Sequence, residues 1–167
     1  MSAADDIERL KLQEARLRFK QFGEADAWAL GTLMRSRAET AGLAIVIDIS
    51  ACGRQLFFTA LAGTNPDNGE WVRRKINAVL RYHKCSYRYG LELAQSGHKP
   101  DADQGVNPID FAPHGGCFPI HVIGTGIVGT VTVSGVPQRD DHNFVAGCLI
   151  EFLGLDPKGL MLGAEKR

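Results

Sequence analysis

The chain has 167 residues, 44% of them hydrophobic, which suits one domain with a full core. Its 19 Lys and Arg balance 19 Asp and Glu, so it lacks the cation surplus of a general nucleic-acid binder. No run approaches the ~18 apolar residues of a membrane span, and the charged segment 1–22 has no apolar secretory core; the cytoplasm is the expected location.

From Asp5 to Phe22 the residues favour helix and predict one N-terminal helix over 5–22. Ile7, Leu10 and Leu17 share one side, and Leu12, Ala15, Phe19 and Phe22 another. Two apolar stripes suit a helix that touches both its own core and a neighbouring subunit. Gly23 breaks it, and Glu24 to Thr40 predicts a second helix, stopped by Gly42. Leu43 to Ser50 is a β-branched run that reads as a buried strand, with Leu43, Ile45, Ile47 and Ile49 on one face. Cys52-Gly53-Arg54 turns it into a returning strand over Gln55 to Leu61.

Thr64 to Gly69 is turn chemistry, and Asp67 with Glu70 resembles a capping box. The helix that follows carries Val72, Ile76, Val79, Leu80, His83, Tyr87, Leu91 and Ala94 on one face. Arg74, Asn77, Arg81, Lys84 and Arg88 fall opposite, and Gly90 is a candidate bend. Gly97 to Pro113 is long and irregular, the habit of a lid, a binding loop or a subunit arm. Phe118 to Ile123 and Ile127 to Ser134 form a second hairpin around Gly124-Thr125-Gly126. Asp140 to Leu153 closes as a helix buried through Phe144, Val145, Cys148, Leu149 and Phe152. The tail 156–167 is expected to be flexible, with Leu160 to Leu162 free to dock on a partner. Strands joined by tight turns are antiparallel, so the expected architecture is α+β: an antiparallel β-sheet sandwiched by α-helices.

Four segments carry candidate chemistry. His114-Gly115-Gly116-Cys117 leads into a strand. Paired glycines let a ligand approach the backbone, and His114 is either a proton carrier or iron ligand or a solvent-facing side chain. Ser134-Gly135 ends a strand just before Asp140-Asp141-His142 starts a helix. Such a turn binds anions through free amides, but the aspartates read more simply as caps and dipole partners, and His142 as a decoration of the helix start. Arg73, Arg74 and Lys75 concentrate charge that serves either as an anion clamp or as a solvated face. Asp48 is a carboxylate in an apolar strand, explained equally well by a donor at the nearby turn. His83 and His121 read as buried and satisfied. Cys52, Cys85, Cys117 and Cys148 contain no CxxC pair, so neither a zinc site nor a disulfide framework is expected. A Ser134–His142–Asp48 triad has no geometric support in sequence, and no residue is assigned as catalytic.

The runs GLAIVIDISACGRQLFFTALAGTNPDN, EWVRRKINAVLRYHKCS, HGGCFPI and IVGTVTVSGVPQRDDH together resemble the haem-degrading-domain family. These are GlcG/HbpS-like proteins, similar to the C-terminal domain of PduO-type adenosyltransferases. The likeness runs from about Glu24 to Leu153 and is strongest to the small, stand-alone, uncharacterised branch. It implies a profilin-like fold, assembly into homo-oligomers, and haem or a related tetrapyrrole as a ligand. Carried over by position, it implies a ligand site at Arg74, Lys75, His114, Gly115, Gly116, Ser134, Gly135, Asp141 and His142. No CxxCH motif is present, so any haem is held non-covalently. The competing readings are a non-catalytic assembly or adaptor protein and an enzyme on a small carboxylate.

Overall fold

The structure is a computed structural model that describes residues 2–99 and 105–163. Helix α1 spans Ala3–Arg16, strand β1 Arg18–Phe19 and helix α2 Glu24–Thr40. Strands β2 (Val46–Ala51) and β3 (Arg54–Ala60) form the first hairpin. Helices α3 (Pro66–Tyr82) and α4 (Ser86–Ser96) follow, then strands β4 (Cys117–Val122) and β5 (Gly126–Ser134), then helix α5 (Gln138–Phe152). One sheet runs in the order β1-β4-β5-β2-β3. Helices α2 and α5 pack on one face of this sheet and α3 on the other.

The fold is α+β as expected, with corrections at four places. The sheet is mixed, because β1 pairs parallel with β4, Arg18 opposite His121. The predicted 5–22 helix therefore ends at Arg16: Phe19 leaves it to fill the core at 2% exposed. The long helix after Thr64 is two helices. His83 takes a left-handed conformation at φ 53° and ends α3; it is exposed rather than buried. Glu14 of α1 accepts the Cys85 amide at 2.8 Å and so caps the start of α4. The cap of α3 is Asn65 with Asn68, not Asp67 with Glu70.

The tail is docked as far as it is described. Leu160 and Leu162 are each 4% exposed within the chain's own core. Arg139 donates to the Gly163 carbonyl at 2.8 Å, and Gln13 to that of Leu160 at 2.7 Å. Residues 164–167 and the 100–104 part of the expected loop lie outside the described residues. The 105–113 part lies along α3: Asn77 donates to the Asp110 carbonyl at 2.9 Å, and Val106 is fully buried.

Strand alternation gives the sheet two different faces. Ile47 and Ile49 pair with Val133 and Val131, and Phe118 with Val131, on the face under α2 and α5. Asp48 pairs with Thr132, Ser50 with Thr130, and Thr132 with Cys117 on the face under α3. A chain of β-branched residues thus places its methyls on one side and its polar atoms on the other.

Candidate functional site

A cleft of about 260 Å³ opens where α3 and α5 both begin. The first turns of α3 contribute Asn65, Asp67, Asn68 and Trp71. The end of β5 and the start of α5 contribute Ser134, Gly135, Val136, Gln138 and Asp141. His114 closes one wall from the turn before β4, and the buried Lys75 reaches in from α3.

Lys75 and Asp141 are each 3% exposed in their side chains, with Nζ 2.8 Å from Oδ2. The ammonium also donates to the Val133 carbonyl at 3.0 Å. Such a pair persists in a low dielectric only when its remaining valences are met. The second Asp141 oxygen meets one by accepting the Val136 amide at 3.2 Å. Asp141 does not cap α5, whose N-cap is Pro137 without a side-chain cap hydrogen bond; from inside the first turn it ties back the Val136 amide and holds a lysine from another helix. Burial pushes its carboxyl up, against the pull of Lys75.

Gly116 lets the two helices close on this pair. Its φ is 119°, and a Cβ there would sit 2.6 Å from the Val133 oxygen and 2.7 Å from Lys75 Nζ. Only glycine accepts both the conformation and the approach. The neighbouring Gly115 is equally tight, because a Cβ there would run into the Gln138 carbonyl.

His114 meets Trp71 edge to face, with ring centroids 5.0 Å apart. Its Nδ1 is buried and has no hydrogen-bond partner. Burial first, then the charges of Lys75 and Arg74, hold the imidazole below its ordinary range, so it is neutral at pH 7. The Trp71 indole donates to Asp67 at 3.1 Å, and Arg74 lies over the indole at 4.7 Å.

Of the expected site positions, Lys75, His114, Ser134, Gly135 and Asp141 line one cleft, and Gly115 and Gly116 shape it. Arg74 stands beside it, donating to the Pro108 carbonyl at 2.8 Å. Arg73 is tied to Glu70 and Asp110, so this part of the basic stripe clamps the 105–113 segment rather than presenting free cations. His142 lies elsewhere, 1% exposed, against Tyr87 and Phe118. Its Nε2 is 2.8 Å from Gln13 Oε1. Gln13 uses its own amide to donate to Leu160, so the imidazole donates from Nε2 and leaves Nδ1 without a partner. Burial pushes that imidazole down to about 3. His121 sits opposite Arg18 on the far strand, so His114, His121 and His142 occupy separate surroundings. No group of three or more His, Cys, Asp or Glu is placed to hold a metal ion among the described residues.

Trp71, Asn65, Asn68 and Gln138 join the cleft without having been singled out in the sequence. The signal was present for Trp71. Once the helix starts at Pro66, Asn68, Trp71 and Lys75 stand at i, i+3 and i+7 on one face.

Residues 22–149 match the family model for haem-degrading proteins of the HbpS-like type. A UPF0303 protein of Acidobacterium capsulatum is 49% identical, over 93% of this chain and 94% of that protein. The crystal structure of the Ybr137w protein superposes with a TM-score of 0.81 at 30% identity, covering 89% of each chain. The PduOC:heme complex superposes with a TM-score of 0.66 at 15% identity, covering 78% of this chain and 94% of that one, and shares its fold.

Proposed function

The chain belongs to the HbpS-like haem-degrading protein family, and from that premise we propose that it binds haem or a related tetrapyrrole at the cleft between α3 and α5. The observation that carries the reading is His114. It is a neutral imidazole on the cleft wall, and no hydrogen bond within the described residues engages it. Haem iron takes a neutral imidazole as its axial ligand.

The cleft also limits how such a ligand sits. At about 260 Å³ it is smaller than most pockets that enclose a drug-sized ligand (roughly 300–1,000 Å³), and its lining is mostly polar. The residues fit the edge of a tetrapyrrole and not the whole ring. The amides of Asn65, Asn68 and Gln138 and the Ser134 hydroxyl suit its carboxylates, and Trp71 suits its apolar plane. When bound, haem would supply redox-active iron. The chain's own part is to hold the ligand and to present an uncharged nitrogen.

Haemin titration of the purified protein tests this, with absorbance followed through size-exclusion chromatography. A saturable Soret band that co-elutes with the protein at a fixed ratio is expected. Bleaching of that band on adding ascorbate would extend the reading from binding to degradation. Featureless, non-saturating absorbance would reject it.

A second reading is a non-catalytic assembly or adaptor protein in the cytoplasm. It is favoured by apolar side chains left at the surface: Ile109 is 70%, Trp28 68%, Ile123 59% and Leu12 43% exposed. Homo-oligomers built on these residues are compatible with either reading. A defined oligomer in light scattering with no saturable haem binding would select the second.

A further inference from the structure

Helix α3 has a second flank. Opposite the first cleft, Gly69, Val72, Arg73, Ile76 and Asn77 overhang β2 and β3 and enclose another space of about 260 Å³. Asp48 lines it, and the residue is 2% exposed. Its Oδ1 accepts from the Ser50 hydroxyl at 2.7 Å and its Oδ2 from the Gln55 amide at 2.6 Å.

These two donors are neutral. No lysine, arginine or histidine lies within ion-pair distance of Asp48 among the described residues; every other carboxylate buried to that degree, Asp6 and Asp141, has one. Arg73 lines the same space, but its guanidinium is held by Glu70 and Asp110. A buried carboxylate without a counter-charge is expensive. Each of its oxygens still has a lone pair to offer. Phe58, which pairs with Asp48 across the hairpin, lines the space and is 50% exposed. A carboxylate beside an aromatic face, with the aliphatic Val72 and Ile76 next to them, is the chemistry that receives an ammonium group on an alkyl stem.

We propose that this second cleft is a binding site for the cationic group of a small alkylammonium ligand, with Asp48 as its counter-charge and Phe58 as its aromatic wall. The site is separate from the His114 cleft, since the two lie on opposite flanks of α3 and share no lining residue. Its failure or success leaves the haem reading untouched.

The test is a titration of the ¹⁵N-labelled full chain with n-butylammonium chloride, followed by amide chemical shifts, with n-butanol and sodium chloride as controls. Saturable shifts at Ser50, Gln55, Phe58 and Asn77 are expected from the ammonium alone, and are lost in Asp48→Asn. Phe58→Ala, at an exposed position, keeps the fold and weakens binding about 2–5-fold, the value of a surface cation–π contact. That variant keeps the test decisive if Asp48→Asn fails to fold. Equal shifts with butanol, unchanged shifts in Asp48→Asn, undiminished affinity in Phe58→Ala, or no saturable shift at all would each overturn the proposal.

Discussion

Under α2 and α5 the sheet presents Ile47, Ile49, Val131, Val133, Phe118 and Ile120, none more than 1% exposed. Under α3 the same strands present Asp48, Ser50, Cys117, Thr130, Thr132 and Ser134. The first face is close-packed and makes the core. The second carries polar groups that bond within the sheet, such as Asp48 with Ser50 and Gln55, and Thr130 Oγ1 is buried there without a partner. The His114 cleft and the Asp48 cleft both open on this second face. A face that gives up packing for polar groups lowers stability, and such departures are expected where a protein binds something. The thiol of Cys117 on that face is not one of the reactive groups. Burial pushes it up to about 12, and Thr132 donates to its sulfur at 3.0 Å.

The comparison breaks first at Lys75. Lys75→Met leaves Asp141 buried without its partner and is expected to cost about 3–5 kcal/mol in urea unfolding. The double variant Lys75→Met/Asp141→Leu should recover most of that loss, because a buried pair is replaceable by apolar groups. On the other face, Ile47→Ala should cost about 2–5 kcal/mol through the cavity it leaves, with haemin binding unchanged. If Ile47→Ala abolished binding, the two faces would not be separate in function.

The acid limb sharpens the same division. His142 belongs to the core side, and its imidazole is held down to about 3 against an ordinary 6.5. Between those values the unfolded chain takes up a proton that the folded chain refuses. Stability is therefore full above 6.5 and falls as the pH is lowered, by at most ~1.4 kcal/mol per pH unit. A His142→Gln variant should show a shallower acid slope by up to one proton. Gly116→Ala should cost more than the ~1–3 kcal/mol of its left-handed backbone alone, because its Cβ would also run into the Val133 oxygen at 2.6 Å.

Much of the apolar face was legible in the sequence, because β-branched runs and glycine turns mark both hairpins. The rest was hidden for identifiable reasons. A two-residue strand has no period, so Phe19 read as helix. The apolar stripe runs unbroken from Val72 to Leu91, and nothing in the sequence of His83 announces a left-handed residue. Lys75 sits among arginines like a solvated side chain, and its partner Asp141 is 66 residues away. His142 follows two aspartates at a helix start, yet its partner Gln13 comes from the other end of the chain. Long-range pairing of polar groups leaves no local signature, and the candidate site is built around one such pair, Lys75 with Asp141.

The smallest expected change in stability belongs to the residue on which the functional reading rests. His114 makes no hydrogen bond within the described residues and is half-buried, with its ring edge-on to Trp71, so His114→Ala should cost no more than about 1 kcal/mol relative to the unaltered chain. The decisive measurement is a parallel haemin titration of the two proteins. The account predicts a saturable Soret band in the unaltered chain and its loss in His114→Ala at near-equal stability. An identical band in both, or none in either, would contradict it.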